Sequence, residues 1–497
     1  MSIIKKLAGE TAIYGLSSII GRVLNYLLVP FYTRIFLAEE YGVVAELYAL
    51  SAFVMVFFSY RFETAFFRFG TKKTNKERAF STALTSIIFS TIIWVALLFF
   101  FSGNITHWLK FPDNNRIYVQ IFALILGFDV LSEIPFARMR LDQRPVRFAT
   151  IKLTNIGLNI FFNLFFLVAS PWVLKQDSWH LLHPLIEKIY NPAFGVGYVF
   201  LSNLIASFVT FILVLPYYLK TKWHIDKQLW VKMIKYAVPL MIAGLAGIVN
   251  EMLDRELLKQ LLPYSFKENM TQIGIYAANY KLAMLMTLFI QAFRYAAEPF
   301  FFAHAEKENA RQLYADVGKY FAIVGALAFL GITLYIDFFK YFVGSDYRSA
   351  LFIVPILLLA NLFLGLYYNL STWYKLSDKT KYGAIISVIG ALITIVLNVI
   401  LIPKIGFVGS AWATLVCYVS MTVISYLWSR KYYPIDYDIP RILLYIGLAI
   451  GAYYFSNVIR QQTGFGLLPM TLVNTIIFAV YLGFIWMKER KEIAKWR

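Results

Sequence analysis

Long apolar stretches, separated by short polar and mostly basic segments, recur from one end of the chain to the other. A helix that spans a bilayer needs roughly 20 predominantly apolar residues. That length picks out fourteen segments: 10–35, 41–61, 80–102, 117–138, 148–171, 194–218, 231–256, 272–298, 318–338, 349–373, 382–403, 406–429, 441–458 and 466–487. The pattern predicts an all-α polytopic membrane protein of about 14 transmembrane helices. The longest segment between spans on the outer side, Pro171 to Phe194, is too short to fold as a domain.

The basic residues test this map independently. Lys and Arg within four residues of a span end are counted with the adjacent loop. Alternate segments, beginning with the N-terminal one, then carry 33 of the 47 and the opposite loops 12. Arg22 and Lys281 fall inside spans. By the positive-inside rule the bias places both termini in the cytoplasm, and a missed span would invert it downstream. Lys5-Lys6 and the apolar run behind it resemble a secretory leader. The run continues past Arg22 to about Phe36 without a small-residue cleavage site, so it is expected to stay as the first span.

Composition agrees. The 497 residues are 60% hydrophobic and 15% charged, against roughly 45–50% and about 25% in soluble domains. A formal charge of +19 would suggest nucleic acid in a soluble protein. Here the cations sit mostly in short loops, where they orient the chain and meet anionic lipid heads. No nucleic-acid partner is expected. The single cysteine, Cys417, excludes an intrachain disulfide or a multi-thiolate metal site. There is no Gly-rich phosphate loop followed by Lys-Ser/Thr and no loop for a catalytic module, so neither a cofactor nor an enzymatic activity is expected.

An internal repeat divides the chain. Tyr41-Gly42-Val43-Val44-Ala45-Glu46-Leu47-Tyr48-Ala49-Leu50 and Ile273-Gly274-Ile275-Tyr276-Ala277-Ala278-Asn279-Tyr280-Lys281-Leu282 share Gly, Ala, Tyr and Leu at identical offsets. Arg61-Phe62-Glu63 follows the first copy. Arg294-Tyr295, with Glu298 beyond, follows the second. The copies open the second and eighth spans, six apart, so they share one orientation, as parallel repeats do. The expected organisation is an N-lobe of helices 1–6 (residues 1–225) and a C-lobe of helices 7–12 (226–435) facing each other across a cavity. Helices 13–14 with a basic cytoplasmic tail (436–497) complete it. Repeated lobes of this kind are a transporter's architecture.

Charges within spans mark candidate sites, because a charge at mid-membrane costs several kcal/mol or more and normally faces a bundle interior or a wet cavity. Arg22 lies ~18 Å from either end of its span at ~1.5 Å per residue, beyond the reach of snorkelling. Lys281 is also deep. Arg61 and Arg294 are equivalent in the repeat and lie nearer the cytoplasmic edge, where snorkelling alone would explain each. Together Arg22, Arg61, Lys281 and Arg294 make a cationic lining suited to an anionic head group such as a diphosphate. Asp129 and Glu133, spaced i,i+4, share a helix face. Such a pair suits ion coupling, and equally suits pairing with Lys152 or Arg22. Glu251, Asp254 and Arg255 cluster at the outer end of the seventh span. There an i,i+4 pair of Glu251 with Arg255 suggests a structural clasp or gate. Asp436-Tyr437-Asp438 matches the acidic pair by which many glycosyltransferases hold a metal, but it stands alone in a short loop. The five histidines form no metal-ligand pattern.

Three blocks of residues stand out along the chain. The first is Gly21-Arg22 through Arg34, followed by Glu39-Glu40-Tyr41-Gly42. The second is Asp254-Arg255 with Gly274-Ile275-Tyr276 and Ala292-Phe293-Arg294 to Pro299. The third runs from Gly365 and Asn369 through Trp373-Tyr374-Lys375, Asn398, Pro403 and Gly406 to Gly409-Ser410-Ala411-Trp412-Ala413-Thr414. Together these blocks resemble the polysaccharide-transporter branch of the MATE-like (MOP) superfamily, which includes O-antigen flippases. The resemblance implies a two-lobe fold, alternating access, and a lipid-linked oligosaccharide on undecaprenyl diphosphate as substrate, flipped across the bacterial inner membrane for surface polysaccharide such as O-antigen. Arg22, Arg61, Lys281 and Arg294 are then the expected contacts to diphosphate or sugar. Membrane lipids and other proteins of polysaccharide assembly are the expected partners. Two rivals stand beside it. A drug/cation antiporter of the same superfamily would line its cavity with acids and aromatics. A polytopic polymerase or ligase would need a large external loop.

Overall fold

The computed structural model describes residues 20–21, 23–71, 75–303, 310–377 and 379–493. The start of the first predicted span, Arg22 and the side chain of Glu298 lie outside what is described. Thirteen helices among the described residues are long and apolar enough to cross a membrane, and no strand occurs among those residues. The protein is an all-α, multi-pass membrane protein, and the thirteen helices match the second to fourteenth predicted spans.

The helices are α1 (23–35), α2 (Ala38–Ser59), α3 (Phe62–Gly70), α4 (Lys76–Phe100), α5 (Arg116–Leu141), α6 (Pro145–Leu164), α7 (Gly197–Leu219), α8 (Lys227–Leu261), α9 (Phe266–Ala303), α10 (Ala310–Leu334), α11 (Val354–Leu370), α12 (Lys381–Ile405), α13 (Phe407–Tyr432), α14 (Ile439–Thr463) and α15 (Leu467–Ile493). They form two compact units. The first holds the chain to Ile248 together with Ser265–Met270. The second holds Val249–Tyr264 and the chain from Thr271 onward. Helices α8 and α9 therefore contribute to both.

In the first unit α4 and α7 pack on α5, α7 also packs on α6, and α3 on α4. Phe58, Phe62, Phe66, Phe80, Leu84, Ile134 and Val214 fill the core. Lipid tails are as apolar as these side chains, so close packing and interhelical hydrogen bonds must hold the helices together. One such bond runs from Asn155 to the Thr210 hydroxyl, 2.9 Å, and joins α6 to α7. The start of α2 explains one block of the sequence. The Glu40 carboxylate accepts from the backbone N–H of Leu37 at 2.9 Å, and Glu39 and Glu40 place negative charge in the first turn, where the helix dipole favours it.

In the second unit α11 and α12 pack against α13, and α14 lies along α10 with α15 beside both. The turn between α12 and α13 needs its glycines. Gly406 has φ +61°, and a Cβ on Gly409 would lie 2.7 Å from the carbonyl carbon of Leu401. The two helices thus meet backbone to backbone, and the Ser410 hydroxyl donates to Asn398 at 2.7 Å. At the other end of the unit, Lys319 on α10 is held by Glu489, 3.1 Å away, and by Glu492 on α15. Arg441 on α14 reaches Glu492 at 2.5 Å.

Candidate functional site

The clearest irregularity in the first unit is at Arg61. The predicted second span ends there, but the structure continues it: α2 stops at Ser59 and α3 resumes at Phe62. Between them Tyr60 and Arg61 both take left-handed backbone conformations, φ 33° and 56°. Each such residue costs of order 1–3 kcal/mol, and such strain clusters at functional sites. The surroundings hold the break in place. The Tyr60 N–H donates to the Val56 carbonyl at 2.8 Å, and its hydroxyl is 2.8 Å from Ser86 Oγ, which also accepts from Trp230. Gly244 on α8 makes room for the Arg61 guanidinium, since a Cβ there would sit 2.7 Å from one of its nitrogens.

Around Arg61 the unit gathers further charge. Glu133 feels Lys152, Arg61 and Asp129 electrostatically, and Ser207 lies beside Asp129. No direct ion pair joins these four charged residues among the described residues. Arg61 and Lys152 are exposed, and Asp129 and Glu133 are half-buried. Lys152 also rests over the Phe136 ring, 4.3 Å from its centroid. One carbonyl of α5 loses its helical donor near this point. Pro135 has no N–H to offer the carbonyl of Leu131, one turn back, and the Tyr218 hydroxyl on α7 donates to that carbonyl instead. Two cations and two carboxylates that remain accessible and unjoined can exchange partners with an arriving anion. A phosphate group accepting from Arg61 or from Lys152 would make a charge-assisted bond that neither cation has now.

The second unit arranges its charges differently. Arg255 is buried and ion-paired with Asp254 at 2.9 Å, and it donates to the Glu251 main-chain carbonyl at 2.9 Å. Tyr276 donates to the other Asp254 oxygen at 2.6 Å, and the Arg255 guanidinium lies 4.8 Å from the Tyr280 ring centroid. The ion pair of Arg255 thus goes to its neighbour Asp254, while Glu251, expected from helical spacing to be the partner, supplies its carbonyl. The Glu251 side chain is exposed and within electrostatic reach of Lys281, which is half-buried. Arg294 lies further along α9, its guanidinium 4.1 Å from the Tyr368 ring centroid.

Of the residues singled out from sequence, the structure brings Arg61, Asp129 and Glu133 together in the first unit. It brings Glu251, Asp254, Arg255 and Lys281 together in the second and sets Arg294 apart in an aromatic cradle. Arg22 lies outside the described residues. Sequence reasoning named Lys152 only as a counter-ion and missed both the accessibility of its side chain and the break at Tyr60-Arg61. Glu46, buried to 0% exposure in the first repeat copy, was also missed. An acid in so apolar a run was the available signal. Asp438, part of the glycosyltransferase-like pair, caps α14 by accepting from the Arg441 N–H at 3.1 Å.

A helical membrane fold with charged clusters inside each unit defines a class of protein that handles polar cargo in a bilayer. The chain belongs to the polysaccharide biosynthesis protein family, which it matches over residues 7–304. In fold it is similar to the lipid II flippase MurJ in an inward closed conformation, with TM-score 0.69 and 15% identity over 96% of this chain and 99% of that one. It is also similar to an inward-facing MATE-family multidrug resistance transporter of the MOP superfamily, with TM-score 0.59 and 12% identity over 85% and 94%. An outward-facing MATE-family transporter of that superfamily matches with TM-score 0.54 and 13% identity over 85% and 94%. No functionally curated protein matches by sequence.

Proposed function

We propose that the protein is a flippase that moves an undecaprenyl-diphosphate-linked oligosaccharide from the cytoplasmic to the outer leaflet of a bacterial inner membrane, by alternating access, for surface polysaccharide synthesis. The observation that carries the reading is the accessible pair of cations, Arg61 and Lys152, held without a direct ion pair in a member of a polysaccharide biosynthesis family. A diphosphate is an anion with several oxygens, and arginine binds such groups through paired hydrogen bonds. Arg22, Arg61, Lys281 and Arg294 are its proposed contacts, with Lys152 added. Asp129 and Glu133 hold Arg61 and Lys152 electrostatically until the head group displaces them, and they are the proposed ion-coupling residues. Both termini lie in the cytoplasm, following the bias of basic residues.

The MATE-type cation antiporter is the second reading, and the half-buried Asp129 and Glu133 are what favours it. Liposomes containing the purified protein separate the two. Translocation of a fluorescent undecaprenyl-diphosphate oligosaccharide without uptake of an organic cation is the expected result. Cation uptake without flipping would replace this reading with the antiporter.

A further inference from the structure

At the end of the second unit where α10 and α14 finish and α15 begins, a cavity of about 580 Å³ opens, within the roughly 300–1,000 Å³ usual for ligand pockets. Its wall is almost wholly apolar, with Ile332, Phe338, Leu468 and Met470 among the lining residues. The few polar groups inside are already matched. Asn474 donates to the Leu334 carbonyl at 2.6 Å and accepts from Ser456 at 2.6 Å, and Tyr335 pairs with Thr475 at 2.9 Å. No lining residue has a buried polar side-chain atom without a partner. Nothing in the interior asks for a polar ligand; hydrocarbon fits it.

The mouth is different. Asp337 is held by both Arg460 and Lys340, the latter at 2.8 Å. Arg348 stacks over Tyr341, another lining residue, 5.0 Å from its ring centroid. Even with the exposed Asp346 counted, three cations face two carboxylates. Phe338, Tyr341 and Leu468 are exposed at the rim, at 75%, 55% and 79%. An apolar cavity under a cationic mouth is complementary to an anionic amphiphile: one chain of hydrocarbon below, one negative charge above.

We infer that this cavity binds an anionic phospholipid, one acyl chain filling the interior and the phosphodiester lying against Arg460 and Lys340. The site is independent of the Arg61 cluster and of the proposed substrate. Its position ties α10, α14 and α15 together at the end opposite the Lys319–Glu489 ion pair, so the lipid would brace that end of the unit.

The test is native mass spectrometry and thermal unfolding of the purified full chain, with phosphatidylglycerol or phosphatidylcholine added. Phosphatidylglycerol should be retained and should raise the unfolding temperature more than phosphatidylcholine does. Arg460→Gln should weaken phosphatidylglycerol retention about fivefold, the scale on which one basic side chain favours anionic lipid. A Cβ on Gly331 would make only an ordinary 3.7 Å contact with Phe478, so Gly331→Leu should fold, fill the cavity and abolish retention of both lipids. If that variant does not fold, the preference for phosphatidylglycerol in wild type and its loss in Arg460→Gln decide. Equal retention of the two lipids by wild type would overturn the inference, as would undiminished retention by Gly331→Leu. Preferential capture of undecaprenyl phosphate over phosphatidylglycerol would also overturn it, making the cavity a site for the substrate tail.

Discussion

Arg61 and Arg294 hold equivalent places in the sequence repeat, yet the two units surround them differently. Around Arg61 the helix gives way, the guanidinium lies over a glycine, and its electrostatic neighbours are Glu133 and, through it, Asp129 and Lys152. Around Arg294 the helix runs unbroken from Phe266 to Ala303, and the guanidinium lies on the face of Tyr368. A strained backbone beside unjoined charges is an arrangement that a ligand improves. A cation on an aromatic face is held by the ring's quadrupole. The remaining charged groups sharpen the contrast, because Arg255, Asp254 and Tyr276 satisfy one another and leave little for a ligand to gain.

The comparison can be broken by substitution. Arg61→Ala should have the largest effect, roughly a 100-fold loss of flipping for the upper part of the ~1.5–3 kcal/mol that a hydrogen bond to a charged group contributes. Arg61→Lys should restore little of it, because a point charge cannot make the paired bonds. Tyr368→Leu removes the face beneath Arg294, and a cation–π contact of ~1–2 kcal/mol corresponds to about a tenfold loss in the same assay. If the two effects were reversed, the units would have been assigned the wrong way round. Glu133→Gln should leave flipping measurable but abolish its response to an imposed proton gradient. A response unchanged in that variant removes Glu133 from ion coupling. Tyr218→Phe strips the Leu131 carbonyl of its donor, and the cost of about 1–3 kcal/mol for an unsatisfied buried group should appear as a lower unfolding temperature with flipping retained.

The smallest effect concerns acid stability. Hydrogen bonds from Lys319 and Arg441 hold Glu492 down to about 2, below the ordinary ~4.3 of a glutamate. Its contribution is therefore complete above about pH 4.3 and is lost as pH falls toward 2. Glu492→Gln should flatten that acid limb of a thermal unfolding series and leave neutral-pH flipping unchanged.

Most of the fold was legible because a span is written locally, in some twenty consecutive apolar residues, and thirteen helices lie where hydropathy places them. The candidate site was legible only in part. Asp129 and Glu133 share a helix face by spacing alone, so their meeting could be read. That Arg61 joins them could not, because it depends on how α2 and α5 pack. The break at Tyr60-Arg61 carries no glycine or proline to announce it, and it persists because Ser86, Trp230 and Gly244, all distant in sequence, accommodate it. Helical spacing likewise offered Glu251 to Arg255, while the short reach to Asp254, fixed by Tyr276 from α9, wins. The lipid-sized cavity has no sequence signature, since its walls come from three long helices and the short helical segment after α10.

The most direct measurement is the rate at which Arg61→Ala, reconstituted at wild-type levels in liposomes, flips a fluorescent undecaprenyl-diphosphate oligosaccharide. A roughly 100-fold slower rate, with insertion and thermal stability preserved, is expected. A wild-type rate in that variant would contradict it, and would mean that the broken helix and its charges serve the fold rather than the cargo.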